Sequence, residues 1–340
     1  MRRLVDPALW AMVMSFAATV TAGAPEPSGD EAVLPSGAKL EELWNDGEFT
    51  EGAAVGPDGA IYFSDIPSTV DQPGRVLKFD PKTRKTTVHC PDSRKSNGLM
   101  FDRAGRLIAC CGANGGARAL CEITPDGKVK PIVGEFEGKT FNAPNDLVIL
   151  PNGHIYFSDP RYVGPEPVEL DHMSVYLYKP DDGSVTRVTD DIEKPNGVHV
   201  SPDARTLYVA ETNNGSGDVT SDTAETRPGR MTLNAFRIRR NGELGRKRVL
   251  VDFGAGPGVD GMTLDAEGNL YAAVRKTGRH GIIVYRPDGA ERAYIPTQDL
   301  PTNCCFGRGE DAKTLYVTAG TGLYCIRLNI EGYHPSTSQQ

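Results

Sequence analysis

Asn145-Asp146-Leu147-Val148-Ile149, then Pro151-Asn152-Gly153, then Ile155-Tyr156-Phe157-Ser158-Asp159 carries the whole architecture in miniature. Two short runs rich in apolar and β-branched residues flank a Pro-Asn-Gly turn, the pattern of an antiparallel hairpin. The same unit recurs five more times: a polar residue, usually a small one, an apolar run, a turn and a second apolar run. Glu51-Gly52-Ala53-Ala54-Val55 passes through Gly56-Pro57-Asp58-Gly59 into Ile61-Tyr62-Phe63-Ser64-Asp65. Asn97-Gly98-Leu99-Met100-Phe101 passes through Asp102 to Gly105 into Leu107-Ile108-Ala109. Asn196-Gly197-Val198-His199-Val200 turns at Ser201 to Ala204 into Leu207-Tyr208-Val209. Asp260-Gly261-Met262-Thr263-Leu264 turns at Asp265 to Gly268 into Leu270-Tyr271-Ala272. The last unit is weaker: Asn303-Cys304-Cys305-Phe306, a turn near Glu310-Asp311, then Leu315-Tyr316-Val317.

The units start 46, 48, 51, 64 and 43 residues apart, and each holds a second hairpin, such as Arg75–Phe79 and Lys85–Val88 about the Asp80-Pro81 turn. Four strands per repeat of this length predict an all-β, six-bladed β-propeller with four antiparallel strands per blade. A β-solenoid would repeat at shorter intervals. Blade six lacks an obvious fourth strand after Leu323–Leu328, and Leu40-Glu41-Glu42-Leu43-Trp44 is placed to supply it. An N-terminal strand closing the ring would leave no open sheet edge.

Composition agrees with this reading. The chain has 340 residues with 38 Gly and 25 Pro spread along it, as many short strands and turns require. Its 45 acidic and 37 basic residues give a net charge of −8, which argues against a nucleic-acid or anionic-membrane partner. None of the seven cysteines forms a CxxC pair, and most lie in apolar runs, so they read as small core hydrophobes rather than metal thiolates. At the start, Met1-Arg2-Arg3 precedes an apolar run from Ala8 to Val20 and small-x-small sites at Val20-Thr21-Ala22 and Ala22-Gly23-Ala24. The run is too short to span a bilayer and fits a cleavable export signal, hence a periplasmic or extracellular protein. The expected order is a signal peptide over 1–24, a flexible lead-in over 25–37, the propeller over 38–332 and a tail over 333–340. A monomer or dimer is expected.

The first strand of each propeller blade lines the central channel, so the residues that open the units meet near the axis. These are Glu51, Asn97, Asn145, Asn196, Asp260 and Asn303. Each carries a side-chain oxygen and two are carboxylates, a donor set for a hard cation, with Ca²⁺ ahead of Zn²⁺, Mg²⁺ or Mn²⁺. Read singly, any of them is an ordinary turn residue before a strand; the register of six is what points to a site. His199 lies on the same alternating strand and reads as a core histidine. The longest irregular stretch, Thr212 to Arg230, is a loop whose channel mouth the sequence leaves open.

Several motifs together resemble the gluconolactonase/regucalcin (SMP-30/gluconolactonase/LRE-like) family of six-bladed propellers, related in fold to diisopropyl-fluorophosphatase. They are Thr50-Glu51-Gly52, Asn142-Ala143-Pro144-Asn145-Asp146 with Tyr156-Phe157-Ser158-Asp159-Pro160, Pro195-Asn196-Gly197, and Val259-Asp260-Gly261-Met262. The resemblance spans roughly residues 40–330. It implies one divalent cation in the channel held by Glu51, Asn145, Asn196 and Asp260, with Asp260 also catalytic, and hydrolysis of sugar lactones. Hydrolysis of another ester or phosphotriester on the same cation, or a non-catalytic calcium-binding propeller, are the competing expectations. The family's substrate-holding Arg before Asn-Asp is replaced here by Gly138-Lys139-Thr140-Phe141-Asn142-Ala143-Pro144. Asn97, Asn142, Asn145 and Arg161 are therefore the candidate substrate contacts, with Lys139 a further substitute for the missing Arg.

Overall fold

The computed structural model describes residues 26–216 and 228–337. The expected export signal, 1–24, lies outside the described residues, as does the middle of the 212–230 loop. Six antiparallel sheets follow one another along the chain, as the repeat requires. Blade one is Thr50–Val55, Ile61–Asp65, Arg75–Asp80 and Lys85–Cys90; blade two is Ser96–Phe101, Leu107–Cys111, Ala119–Ile123 and Val129–Val133. Blade three is Leu147–Ile149, Ile155–Asp159, Ser174–Lys179 and Ser184–Thr189; blade four is Pro195–Val200, Thr206–Thr212, Met231–Ile238 and Leu244–Asp252. Blade five is Val259–Leu264, Leu270–Val274, Gly281–Tyr285 and Glu291–Pro296; blade six is Pro301–Phe306, Thr314–Ala319 and Gly322–Arg327.

The missing outer strand of blade six is Glu41–Trp44, as expected, with Glu41 opposite Cys325 and Trp44 opposite Leu323. The Trp44 ring then meets Phe63 of blade one edge-on, with centroids 5.4 Å apart, so the closing strand also joins the first blade to the last. The lead-in is more ordered than the expected flexible segment. Ser28–Gly29 adds a short fifth strand to blade five, and Val33 and Leu34 are buried against blades five and six. Their apolar side chains outweigh the Pro, Ser and Gly around them.

Innermost strands are buried on both faces, whereas the outermost ones alternate or face solvent. Between blades the side chains form continuous apolar layers, such as Ala53, Ile61, Phe63, Phe79, Tyr316 and Leu323 between blades one and six. All seven cysteines are unpaired and six are buried in these layers.

The inner strands run from one mouth of the channel to the other. In five blades the pairing of first and second strands slips where the unit-opening residue sits: between Glu51 and Ala54, Ser96 and Leu99, Pro195 and Val198, Val259 and Met262, and Pro301 and Asn303. Such bulges re-aim a side chain and sharpen the local twist. The small residue that follows each opening residue has its own cause. A Cβ on Gly52 would lie 1.9 Å from the Asn97 carbonyl oxygen of the next blade, so the backbones touch there.

At the far mouth the chain turns back under the ring. Asp265 bridges Gly332, the Tyr333 N–H donates to the Leu264 carbonyl at 2.9 Å, and His334 Nε2 lies 3.1 Å from the Gly307 carbonyl. The short 3₁₀ turn Pro335–Thr337 then packs against Leu147–Ile149 of blade three, across the ring from blades five and six. The described part of the expected tail, residues 333–337, packs against the ring here as a plug, with Tyr333, Pro335 and Ser336 buried.

Candidate active site

The mouth at which the inner strands begin is also where the second strands end, because Thr50 pairs with Asp65, Pro195 with Glu211 and Val259 with Val274. Loops from second to third strands therefore rim this mouth. The long loop of blade four springs from it too, between Thr212 and Met231.

Glu51 and Asp260 point into this end of the channel, only 3% and 4% exposed. Burial, with the charge of Asp260 next, holds the Glu51 carboxyl well above the usual carboxylate range; Arg275 acts in the opposite direction. Glu51 Oε2 accepts the Gly52 N–H at 3.2 Å, and Oε1 has no partner among the described residues. Asp260 Oδ2 accepts from Arg275 Nη1 at 2.5 Å, leaving Oδ1 similarly open. The Asn145 amide makes no hydrogen bond to a described residue, and neither does the half-buried Asn97 side chain. Asn196 Nδ2 donates to the Tyr162 hydroxyl at 3.2 Å, which in turn donates to the Thr212 carbonyl at 3.1 Å. This assigns the amide so that its oxygen is free.

Of the six unit-opening residues, Asn303 falls out. Its Oδ1 accepts the Cys304 N–H at 2.9 Å, so its oxygen is already used. Asp146, one residue past Asn145, lies deeper; it accepts from the N–H groups of Leu147 at 2.9 Å and Val198 at 3.1 Å. Burial outweighs these bonds and pushes its carboxyl up to about 7.

Two expected substrate contacts are corrected by the structure. Asn142 is fully buried, its amide donating to the carbonyls of Asp159 and His172 at 3.2 Å each. Arg161 is 2% exposed; its guanidinium donates to the Asn142 carbonyl at 2.8 Å, to the carbonyls of Gly164 and Glu166, and to Glu166 Oε2 at 3.0 Å. Both brace the chain of blade three below the mouth, with Asn142 Oδ1 buried and without a partner among the described residues. Lys139 is exposed on a two-residue strand paired with Glu135–Phe136, away from the axis. His199 is buried in the far half of the channel, its Nδ1 accepting the Val200 N–H at 3.0 Å and its ring centroid 6.3 Å from that of Tyr333.

Sequence reasoning missed Arg275 and Tyr162. Both follow second strands, Arg275 after Leu270–Val274 and Tyr162 three residues after Asp159. The second-strand ends share the mouth with the first-strand starts, so a search of both would have found them.

Among the described residues no group of three or more His, Cys, Asp or Glu side chains is gathered as a metal site. Four open oxygens at the mouth, from Glu51, Asn145, Asn196 and Asp260, are instead an all-oxygen set of two carboxylates and two amides. That chemistry could hold a hard divalent cation.

Fold and mouth together define a six-bladed propeller with a buried acidic and amide site at one end of its channel. The chain belongs to the SMP-30/gluconolactonase/LRE-like family, whose model matches residues 49–321. It is 27% identical over 322 residues to a gluconolactonase of Zymomonas mobilis, covering 89% of this chain and 85% of that one. It is also 27% identical to a regucalcin of Xenopus laevis over 275 residues, 77% of this chain and 79% of the other. Among solved structures, a gluconolactonase from Xanthomonas campestris superposes with a TM-score of 0.74 at 28% identity, covering 90% of this chain and 96% of that one.

Proposed function

We propose that the chain is an exported hydrolase of sugar lactones, acting at the acidic mouth of the channel with a divalent cation, Ca²⁺ foremost. The observation that carries this reading is that Glu51, Asn145, Asn196 and Asp260, which open inner strands at one mouth of the channel, each keep a side-chain oxygen without a partner among the described residues, in a chain whose relatives include gluconolactonases. Glu51, Asn145, Asn196 and Asp260 would hold the cation, which when bound polarises a lactone carbonyl. Two carboxylates offset a divalent charge, and the amides ligate without adding more. Tyr162 orients the Asn196 amide through its hydroxyl, and Arg275 fixes one oxygen of Asp260 so that the other faces the axis. Asp260 orients the attacking water. Asn97, open and half-buried at the same mouth, faces the substrate's hydroxyls.

Lactone hydrolysis should vanish with a chelator and return with Ca²⁺; turnover indifferent to chelator overturns the reading. Asp260→Asn should lower kcat by about 10²-fold or more in a folded protein. A cation that raises the melting temperature while no lactone or ester is turned over would instead mark a binding propeller.

A further inference from the structure

Among the described residues Arg275 is the one guanidinium in contact with the channel carboxylates, and only part of it is used. Its backbone N–H donates to the Gly258 carbonyl at 3.0 Å, which ties the residue to the start of the blade-five inner strand. The side chain is 20% exposed, and its guanidinium carbon lies 5.9 Å from the centre of the Phe49 ring, whose face limits where the group can go. Nη1 is bonded to Asp260 Oδ2. Nε and Nη2 have no hydrogen bond to any described residue, yet neither is among the buried atoms left without a partner. They therefore reach solvent, at the mouth. In a planar guanidinium, Nε and Nη2 present their N–H groups along one edge, and that edge matches the two oxygens of a carboxylate.

Charge points the same way. Glu51 and Asp260 together offset a divalent cation, and the Asp146 oxygens are committed deeper in the channel to Leu147 and Val198. Arg275 is matched by Asp260 on one side only, and its Nε–Nη2 edge remains for a second anion in this partly desolvated place. Neutral hydroxyl groups have other partners nearby in Asn97 and the Tyr162 hydroxyl. Other cations near this mouth are engaged elsewhere: Arg161 with Asn142, Gly164 and Glu166, Lys95 with the carbonyls of Pro67 and Thr69, and Lys194 with Asn214, Ser216 and the face of the Tyr162 ring.

We propose that Arg275 is the specificity-determining residue of this site, its Nε–Nη2 edge binding an oxyanion carried by the substrate, so that the preferred substrates are acidic sugar lactones rather than neutral ones. The proposal rests on the lactone-hydrolase reading. Carboxylate and phosphate monoester share the required chemistry, and the carboxylate is the closer match to a single two-donor edge. Catalytic efficiency would be measured on glucono-δ-lactone, on a glucaric acid lactone and on a 6-phosphorylated gluconolactone, for the wild type, Arg275→Gln and Arg275→Lys. Binding of glucuronate and of glucose, which differ by one carboxylate and have no lactone bond to break, would be followed in parallel by ligand-observed NMR with Ca²⁺ present. The acid-to-neutral preference should fall roughly 10- to 100-fold in Arg275→Gln, in turnover and in binding alike, and recover in part in Arg275→Lys. The lactone that loses most, carboxylated or phosphorylated, identifies the source of the oxyanion. A wild type without preference overturns the proposal. So does an Arg275→Gln variant in which all lactones fall together, because Arg275 would then act only by holding Asp260. Arg275-dependent glucuronate binding without turnover of any lactone would keep the anion edge and sink the hydrolase reading.

Discussion

Gly52 meets two demands at once. Its φ of +55° is in the left-handed region, and a Cβ there would collide with the Asn97 carbonyl oxygen of the neighbouring blade. Gly52→Ala therefore combines backbone strain with a steric overlap that only movement of the next inner strand can relieve, and should cost about 3 kcal/mol, measured by chemical denaturation. A loss below about 1 kcal/mol would mean that the blades do not touch here. The glycines after Glu51, Asn196 and Asp260 were visible in the sequence as small residues in register; that the first two mark backbone contact between blades, and the third contact with the Asn303 side chain, was not, because the partners lie some forty to sixty residues away. Arg275 and Tyr162 were hidden because they reach the mouth from the ends of second strands rather than from the first strands that hold the opening residues. Asn142 and Arg161 show the reverse error. Asn142 lies just before Asn145 and Arg161 just after the Ile155–Asp159 strand, but both turn into the body of blade three, where Asp159 and Glu166 take them up.

The hairpin turns were the most legible elements, since their chemistry is local. In five blades the turn closes with an N–H bonded three residues back: Gly59 to Gly56, Gly105 to Asp102, Gly153 to Leu150, Ala204 to Ser201 and Gly268 to Asp265. All five closing residues have positive φ, and only Ala204, at +53°, has a side chain. Ala204→Gly should thus stabilise by about 0.5 kcal/mol, the strain relieved exceeding the extra freedom of the unfolded glycine. At the equivalent Gly153 a Cβ would meet nothing within 4 Å, so Gly153→Ala isolates the backbone effect and should cost about 1 kcal/mol. Equal midpoints for the paired variants and the wild type in a denaturant series would refute this account.

The plug at the far mouth has its own pH dependence. Burial lowers the pKa of His334, with help from Arg308, and of His199, each to about 4. Both are neutral in the folded chain, whereas an unfolded histidine takes up its proton near pH 6.5. Docking is therefore at full strength above pH 6.5 and weakens as pH falls towards 4, where a charged His334 would face Arg308 and a charged His199. Asp146 lines the same cavity, but with its carboxyl pushed up to about 7 it is largely protonated in this window and supplies little opposing charge. Protection of residues 331–337, taken as exchange relative to the unfolded-chain rate at each pH, should fall across that window and lose most of its pH dependence in His334→Gln. Flat protection in the wild type would remove the histidines from this role.

Across the molecule, the ring holds because its first and last strands meet. Glu41–Trp44 pairs with Gly322–Arg327, and Trp44 reaches Phe63. A chain starting at Asn45 would expose the edge of Gly322–Arg327 and part of the apolar layer beneath it, and should aggregate on size-exclusion chromatography. One starting at Lys39 keeps the closure and loses the burial of Val33 and Leu34, about 2 kcal/mol for each side chain, together with the short Ser28–Gly29 strand and the Asp30–Arg292 ion pair, so it should remain folded with a lower melting temperature. If both truncations behaved alike, the closing strand would not be what holds the ring. The repeat made this closure readable in advance, since blade six was one strand short. No repeat announced the plug, because residues 331–337 act only by what they meet after the ring has formed.

That plug turns the channel into a cul-de-sac. Traffic through the molecule is two-way through a single doorway, so a reactant can enter only after the molecule made before it has backed out past the same residues. Opening a lactone leaves a new carboxylate, and the mouth by which it departs is the one where the Arg275 guanidinium meets Asp260.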